Sequence, residues 1–367
     1  MYGFLYNILS AVGTSAPLAL RSLKKENCES SWPTRVTQSV RSLPELYGKK
    51  RYLALLGRQN LTVPTDLILS AVSSLPELQL LLAWIFLIIY MITVTGNLGM
   101  IILTKLDSHL HTPMYFFIRH LAYIDLGDAT VIYPKMLLNF AMGRNTISYH
   151  ACALQMAFFI VFIVSELFVL SAMAYDRYVA VCNPLLYSII MSQRRCHVLV
   201  GIPYLYCTTQ ALLFMSLIFT STFCANLLSH FYCDCILMSL MLCSNGQEIA
   251  TLINHFAIFN LSSSLLVVLL SYLMILLAVC RMHSAEGRKK AFSTCASHLT
   301  VVVVFYGTLF FMYVQPKSAQ YSDIDKLSSV FYTLMIPMLN PMIYSFRNKE
   351  VKSAFYRVFR NNFRVCT

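Results

Sequence analysis

The chain has 367 residues, of which 57% are hydrophobic and only 12% charged, with a mean hydropathy of +0.63. That balance excludes an ordinary water-soluble domain and points to a membrane protein. The net charge of +12 sits in short basic clusters between apolar runs, not on a stripe with interleaved aromatics. It therefore argues for contact with anionic membrane lipid and against a nucleic-acid partner.

Residues 1–58 form a basic leader of different composition, expected to be disordered, whose apolar start is broken by Gly13, Ser15 and Pro17 with no charge ahead of it. It does not read as a cleaved secretory signal. Residues 59–79 are expected to be extracellular, because Asn60-Leu61-Thr62 is a glycosylation sequon. A membrane bundle is expected over 80–346, and an amphipathic helix with a cytoplasmic tail over 347–367. The first span, Leu80 to Leu103, is uncharged and contains Asn97, expected to tie helix 1 to helices 2 and 7. Leu110-His111-Thr112-Pro113-Met114-Tyr115-Phe116-Phe117 leads into helix 2, about Pro113 to Phe140, where Pro113 suits the first turn. Arg119 near its inner end is expected to snorkel to lipid. Asp125 lies deep in this span; a bare carboxylate there is costly and needs a cation or a proton. Helix 3 begins near Cys152 and holds Glu166, about 16 Å along the axis from Arg177. Asp125 and Glu166 are placed to face each other around a sodium ion or a shared proton, with separate hydrogen bonding as the alternative. No residue from Cys152 to Ser165 is charged. The outer half of helix 3 thus offers an amine ligand no carboxylate, and Phe159, Ile160, Ile163 and Val164 read either as an apolar pocket wall or as ordinary packing.

Helix 3 ends in Met173 to Tyr187, MAYDRYVAVCNPLLY. Asp176-Arg177-Tyr178 places a permanent cation where hydrocarbon meets water, as a snorkelling arginine or as an ionic switch in which Asp176 holds Arg177. Helix 4 follows at about Cys196 to Phe219. The loop from Thr220 to about Ala250 carries Cys224, Cys233, Cys235 and Cys243, whose connectivity sequence alone does not give. His230 to Asp234 has donors at metal-binding spacing, an alternative that a disulfide at Cys233 would remove; no metal is expected. Helix 5, about Leu252 to Cys280, contains Asn260, either a pocket contact or an interhelical hydrogen bond. Ser284 to Thr300, SAEGRKKAFSTCASHLT, opens helix 6, which runs to about Val314 through Phe305-Tyr306-Gly307-Thr308. Tyr306, Leu309, Phe310 and Tyr313 recur at i, i+3, i+4 and i+7 and share one face, as pocket lining or as packing. Helix 7, about Leu327 to Phe346, ends in Pro337 to Tyr344, PMLNPMIY, where Pro341 makes a kink beside Asn340 and Tyr344. Phe355, Tyr356, Val358 and Phe359 then mark an amphipathic helix on the inner leaflet, and Cys366 is a weak palmitoylation signal. Basic residues concentrate on the inner segments, whereas only Lys135, Arg144, Lys317 and Lys326 fall outside, so seven spans with the N-terminus outside follow.

The strings at Leu110–Phe117, Met173–Tyr187, Ser284–Thr300, Phe305–Thr308 and Pro337–Tyr344 resemble, in order, those of olfactory receptors of the tetrapod-type class, within the rhodopsin-like G-protein-coupled receptors. The resemblance covers about Asn60 to Lys352. It implies an all-α seven-transmembrane bundle in the plasma membrane, with an extracellular N-terminus and a cytoplasmic C-terminus. It implies disulfides Cys152–Cys233 and Cys224–Cys243, with Cys235 left over, free or paired with Cys28. A small, volatile, apolar ligand would bind among helices 3, 5, 6 and 7, and a heterotrimeric stimulatory G protein would raise cyclic AMP. Asp176, Arg177, Tyr178, Tyr272, Asn340, Pro341 and Tyr344 would form the activation switch, Tyr272 moving towards Arg177. Asp128 departs from the family, which has uncharged residues there. A transporter or channel using Asp125 and Glu166 is the rival reading, although no internal duplication is visible. An enzyme is disfavoured: the sequence holds no helical zinc pair, nucleophile elbow or glycine-rich phosphate loop.

Overall fold

The computed structural model describes residues 66–69, 76–143, 145–228, 230–314 and 329–365. The leader, Asn60, Cys28, Lys317, Lys326 and Cys366 lie outside the described residues, as does Arg144. Long, predominantly apolar stretches form the helices α1 (Pro76–Leu106), α2 (Pro113–Met142), α3 (Tyr149–Cys182), α4 (Gln193–Phe219), α5 (Gly246–Arg281) and α6 (Ala285–Val314). A π-helical stretch, Phe331–Met335, leads into α7 (Ile336–Arg347), and α8 (Lys349–Val365) follows. Helix α1 starts at Pro76, four residues before the expected Leu80, because a proline in the first turn gives up an N–H that has no helical partner anyway. At 31 residues it is about 46 Å long, enough to cross a hydrocarbon core of about 30 Å.

The bundle is apolar on its outside. Leu80, Leu81, Trp84, Ile88 and Ile102 of α1 are each more than half exposed, an aggregation hazard in water and an ordinary lipid face in a bilayer. Helix α3 is the hub: its apolar stretch is mostly buried, whereas those of α1, α4 and α5 are mostly not. It packs on α2, α4, α5 and α6.

A small sheet caps the outer end, which the sequence did not announce. Strand β1 (Asp66–Leu69) lies between β2 (Thr146–Ser148), to which it is antiparallel, and β3 (Leu227–Leu228), to which it is parallel. Alternation drives Leu67 and Leu69 into the outer core with Ile147, Cys152 and Met156, leaving Asp66 and Ile68 outside. The loop between α4 and α5 is closed by Cys224–Cys243 and tied to the start of α3 by Cys152–Cys233. Its short helix, Cys235–Leu240, is N-capped by Asp234, whose Oδ1 accepts from the Leu237 N–H at 2.9 Å. Helix α5 begins at Gly246, earlier than the expected Leu252. A Cβ there would strike the Ser239 carbonyl oxygen, so only glycine lets the two segments approach.

At the inner end, α8 is docked by polar contacts. Arg357 donates Nε and Nη2 to Asp107 Oδ2 at 2.9 and 2.7 Å, and Tyr115 donates its hydroxyl to Glu350 Oε2 at 2.8 Å. Val351 and Ala354 are buried while Phe355 and Tyr356 face outwards, as an interfacial helix requires.

Candidate functional site

Two assemblies lie at different depths of α3. The outer one is a cavity of about 100 Å³. Helix α3 supplies Phe159, Ile160, Ile163, Val164 and Leu167, the first four being the expected wall. Asn260, Ile253, Ala257 and Leu261 come from α5, Leu309 from α6, and Asp234, Cys235 and Ile236 roof it from the loop. Gln210 and Phe214 of α4 complete it, and neither was legible as a pocket residue in the sequence. The expected helix-7 wall is absent among the described lining residues; helix 4 takes its place because α3 packs closely on α4 and α5.

The aromatic face expected on α6 splits. Leu309 is 2% exposed and points inwards, but Phe310 is 60% exposed and faces lipid, since adjacent helical residues are turned by about 100°. Tyr306 is buried yet absent from the lining, its hydroxyl donated to the Leu167 carbonyl at 3.3 Å. The side chain of Tyr313 lies outside those described. Asn260 combines both roles proposed for it: it lines the cavity and joins α5 to α4, accepting from the Tyr206 hydroxyl at 2.8 Å and donating to Gln210 Oε1 at 3.0 Å. Asp234 brings an acidic residue to the roof, its Oδ1 engaged with the Leu237 N–H, which the uncharged stretch of helix 3 alone did not foretell. Cys235 is free and buried, and that burial pushes its thiol well above the ordinary range.

The inner assembly is polar. Arg177 is 9% exposed and Asp176 fully buried; the guanidinium donates Nη2 and Nε to Asp176 Oδ2 at 2.6 and 3.2 Å. Tyr187 holds the other carboxylate oxygen, donating its hydroxyl to Oδ1 at 2.8 Å. Arg177 is thus paired inwards and does not snorkel. Tyr178 packs at the edge of a small cluster formed by Ile275, Val279, Ala291 and Cys295 of α5 and α6. Tyr272 is bound away from Arg177, its hydroxyl 2.7 Å from His298 Nδ1. His298 Nε2 lies 3.2 Å from the Leu170 carbonyl, which only accepts, so Nε2 carries the proton and Nδ1 receives the tyrosine's. The sequence showed this histidine without its role.

Between the two assemblies, Asn340 Nδ2 donates to Asp125 Oδ1 and Oδ2 at 3.0 and 3.1 Å and to Glu166 Oε1 at 3.2 Å. One amide therefore joins α2, α3 and α7. Pro341 has no N–H for the carbonyl of Pro337, four residues back, and Asn97 supplies the missing donor at 2.9 Å. Asn97 so ties α1 to α7 and, contrary to expectation, makes no hydrogen bond to α2 among the described residues. Tyr133 likewise bonds the Leu334 carbonyl of the π-helical stretch at 3.0 Å. The Tyr344 hydroxyl and Asp128 Oδ1 are buried without a hydrogen-bond partner among the described residues. Gly127 beside Asp128 is pressed against the Phe162 ring, leaving no room for a Cβ without moving it. Arg119 turns back to α1, its Nε 3.1 Å from Thr104 Oγ1 and its Nη2 on the Thr104 carbonyl, instead of snorkelling.

Among solved structures, the fold is similar to that of squid rhodopsin, with a TM-score of 0.63 over 84% of this chain and 94% of that one, at 16% identity. The profile described as "Olfactory receptor" matches residues 86–362. The chain is 68% identical to human olfactory receptor 8K5 over 307 residues, 83% of this chain and all of that protein. It is 62% identical to human olfactory receptor 8K3 over 305 residues, 83% of this chain and 97% of that protein. These comparisons give the transporter and enzyme readings no support, and with the bundle geometry they establish that the chain belongs to the olfactory receptor family of G-protein-coupled receptors, multi-pass membrane proteins that respond to small molecules and couple to G proteins.

Proposed function

We propose that this receptor binds a small, largely apolar odorant in the cavity between α3, α4 and α5 and signals through a stimulatory G protein that raises cyclic AMP at the plasma membrane. The observation that carries the reading is the position of both assemblies on α3. Leu167 lines the cavity and Asp176 lies nine residues further on, about 14 Å along one rigid helix. A ligand shifts the lock only through its difference in affinity between the closed and open arrangements. Release of Arg177 from Asp176 and outward movement of the inner end of α6 would open a basic cavity for the G protein's C-terminal helix. Tyr272, held by His298 in the closed arrangement, would then be free to reach Arg177.

Asp125 and Glu166 around one Asn340 amide would repel if both were bare, so the site calls for a sodium ion or a proton between them. Their donor set of carboxylate oxygens suits either. Exchange of external sodium for choline separates the two: a sodium site changes agonist potency and a proton site does not. Anionic inner-leaflet lipid would attract the basic α8 segment. The test of the main reading is an odorant screen against cyclic AMP in cells carrying the full chain, with membrane current recorded in parallel. A cyclic AMP rise supports it; ion flux without G protein contradicts it.

A further inference from the structure

Between α4 and α5 the cavity has a polar edge, built as a chain of donors running in one direction. The Tyr206 hydroxyl donates to Asn260 Oδ1 at 2.8 Å, and Asn260 Nδ2 donates to Gln210 Oε1 at 3.0 Å. That uses the Gln210 oxygen and leaves its amide nitrogen with no hydrogen-bond partner among the described residues. Yet Gln210 is only 5% exposed and lines the cavity. The nitrogen is not one of the fully buried polar atoms left without a partner, so it keeps surface open to the cavity, where an acceptor brought by a ligand would bond it. The facing walls, Ile160, Val164, Phe214 and Leu309, offer hydrocarbon only.

Size and charge narrow the ligand further. An apolar cavity of about 150 Å³ admits benzene, so one of about 100 Å³ suits about four to six heavy atoms. Among the described residues, no Lys, Arg or His lines the cavity, so the carboxylate of an acid would enter without a cationic partner.

We infer that Gln210 is the specificity-determining residue of the cavity, its amide N–H selecting a small uncharged molecule that presents an oxygen acceptor, such as a short ketone, ester or ether. Asn260 and Tyr206 act as positioning residues that fix which end of the amide faces the ligand. This inference rests on the cavity being the odorant site. Reversing both amides would turn an oxygen inwards and favour ligands that donate, such as alcohols.

The test uses the full-length receptor in cells, with cyclic AMP as readout at matched surface density. The probes are 2-butanone, 2-methyl-1-butene, which has the same shape without the oxygen, 1-butanol and butyric acid. The wild-type receptor should respond to 2-butanone at about tenfold lower concentration than to the alkene, the value of one buried hydrogen bond, and not to the acid. Gln210→Met, similar in length and unable to donate, should erase that ratio while the alkene response persists and reports a folded receptor. Tyr206→Phe should shrink the ratio, which a purely structural role would not do. A response to 1-butanol alone, an unchanged ratio in Gln210→Met, or no response to 2-butanone from a surface-expressed receptor would each overturn the inference. Ala257→Phe, which fills the cavity, serves as the separate control. If it responds normally to every probe, the cavity is not the odorant site and the proposed function's site fails, whatever Gln210 does.

Discussion

The Tyr187 hydroxyl is the smallest part of the inner lock that can be removed alone. Tyr187→Phe deletes its 2.8 Å bond to Asp176 Oδ1 and leaves both Arg177 contacts and the aromatic ring in place. Asp176 is fully buried, so bulk water does not simply replace the lost donor. A hydrogen bond to a charged group contributes about 1.5–3 kcal/mol. If the bond exists only in the closed arrangement, its loss shifts the balance towards the open one by at least about tenfold, taking the lower figure at 1.36 kcal/mol per decade. Agonist-free cyclic AMP, normalised to surface receptor, should rise by up to about that factor, since a population cannot exceed full occupancy. Basal cyclic AMP that stays at the wild-type level, with Tyr187→Phe at normal surface density, would refute the idea that this hydroxyl holds the lock shut.

Two further outcomes follow from groups outside the spans. Burial raises the Asp107 carboxyl, but hydrogen bonds from His109 and the Arg357 contact outweigh it and hold its pKa below the usual carboxylate range. A folded pKa below the unfolded value contributes stability that is present above about pH 4 and lost as pH falls through the folded value. A spin label on α8 should therefore stay immobile from neutral pH down to about pH 5 and loosen only in stronger acid; mobility that changes between pH 6 and 8 would contradict this. The raised thiol of Cys235 should alkylate slowly at neutral pH and faster as pH rises above the range of an ordinary cysteine, and a cavity ligand should slow it further. Mass spectrometry of the labelled peptide checks both effects, and rapid labelling insensitive to ligand would count against the cavity's roof.

The spans, the Asp176–Arg177 pair and the Asp125–Glu166 pair were legible because charge inside a hydrophobic run is costly and so carries information. Apolar positions carried less. Phe310 and Leu309 look alike in the sequence, and only the rotation of α6 sends one to lipid and the other into the cavity. Gln210 and Phe214 sat in a span with no pattern to set them apart, and their role depends on which face α4 turns to α3. The link from Asn97 to Pro337 is readable only in retrospect, because it needs both the carbonyl freed by Pro341 and a neighbour close enough to use it. The sheet around β1 was missed because four residues of alternation in a polar loop are too few to signal a strand without their partners.

The central claim is that ligand arriving at the outer cavity acts through Arg177. Its most direct test is the agonist dose–response of cyclic AMP for the wild-type receptor and Arg177→Ala at matched surface density. The account predicts that agonist-driven cyclic AMP is lost in Arg177→Ala, whereas ligand still slows Cys235 alkylation. An undiminished agonist response in that variant would contradict it.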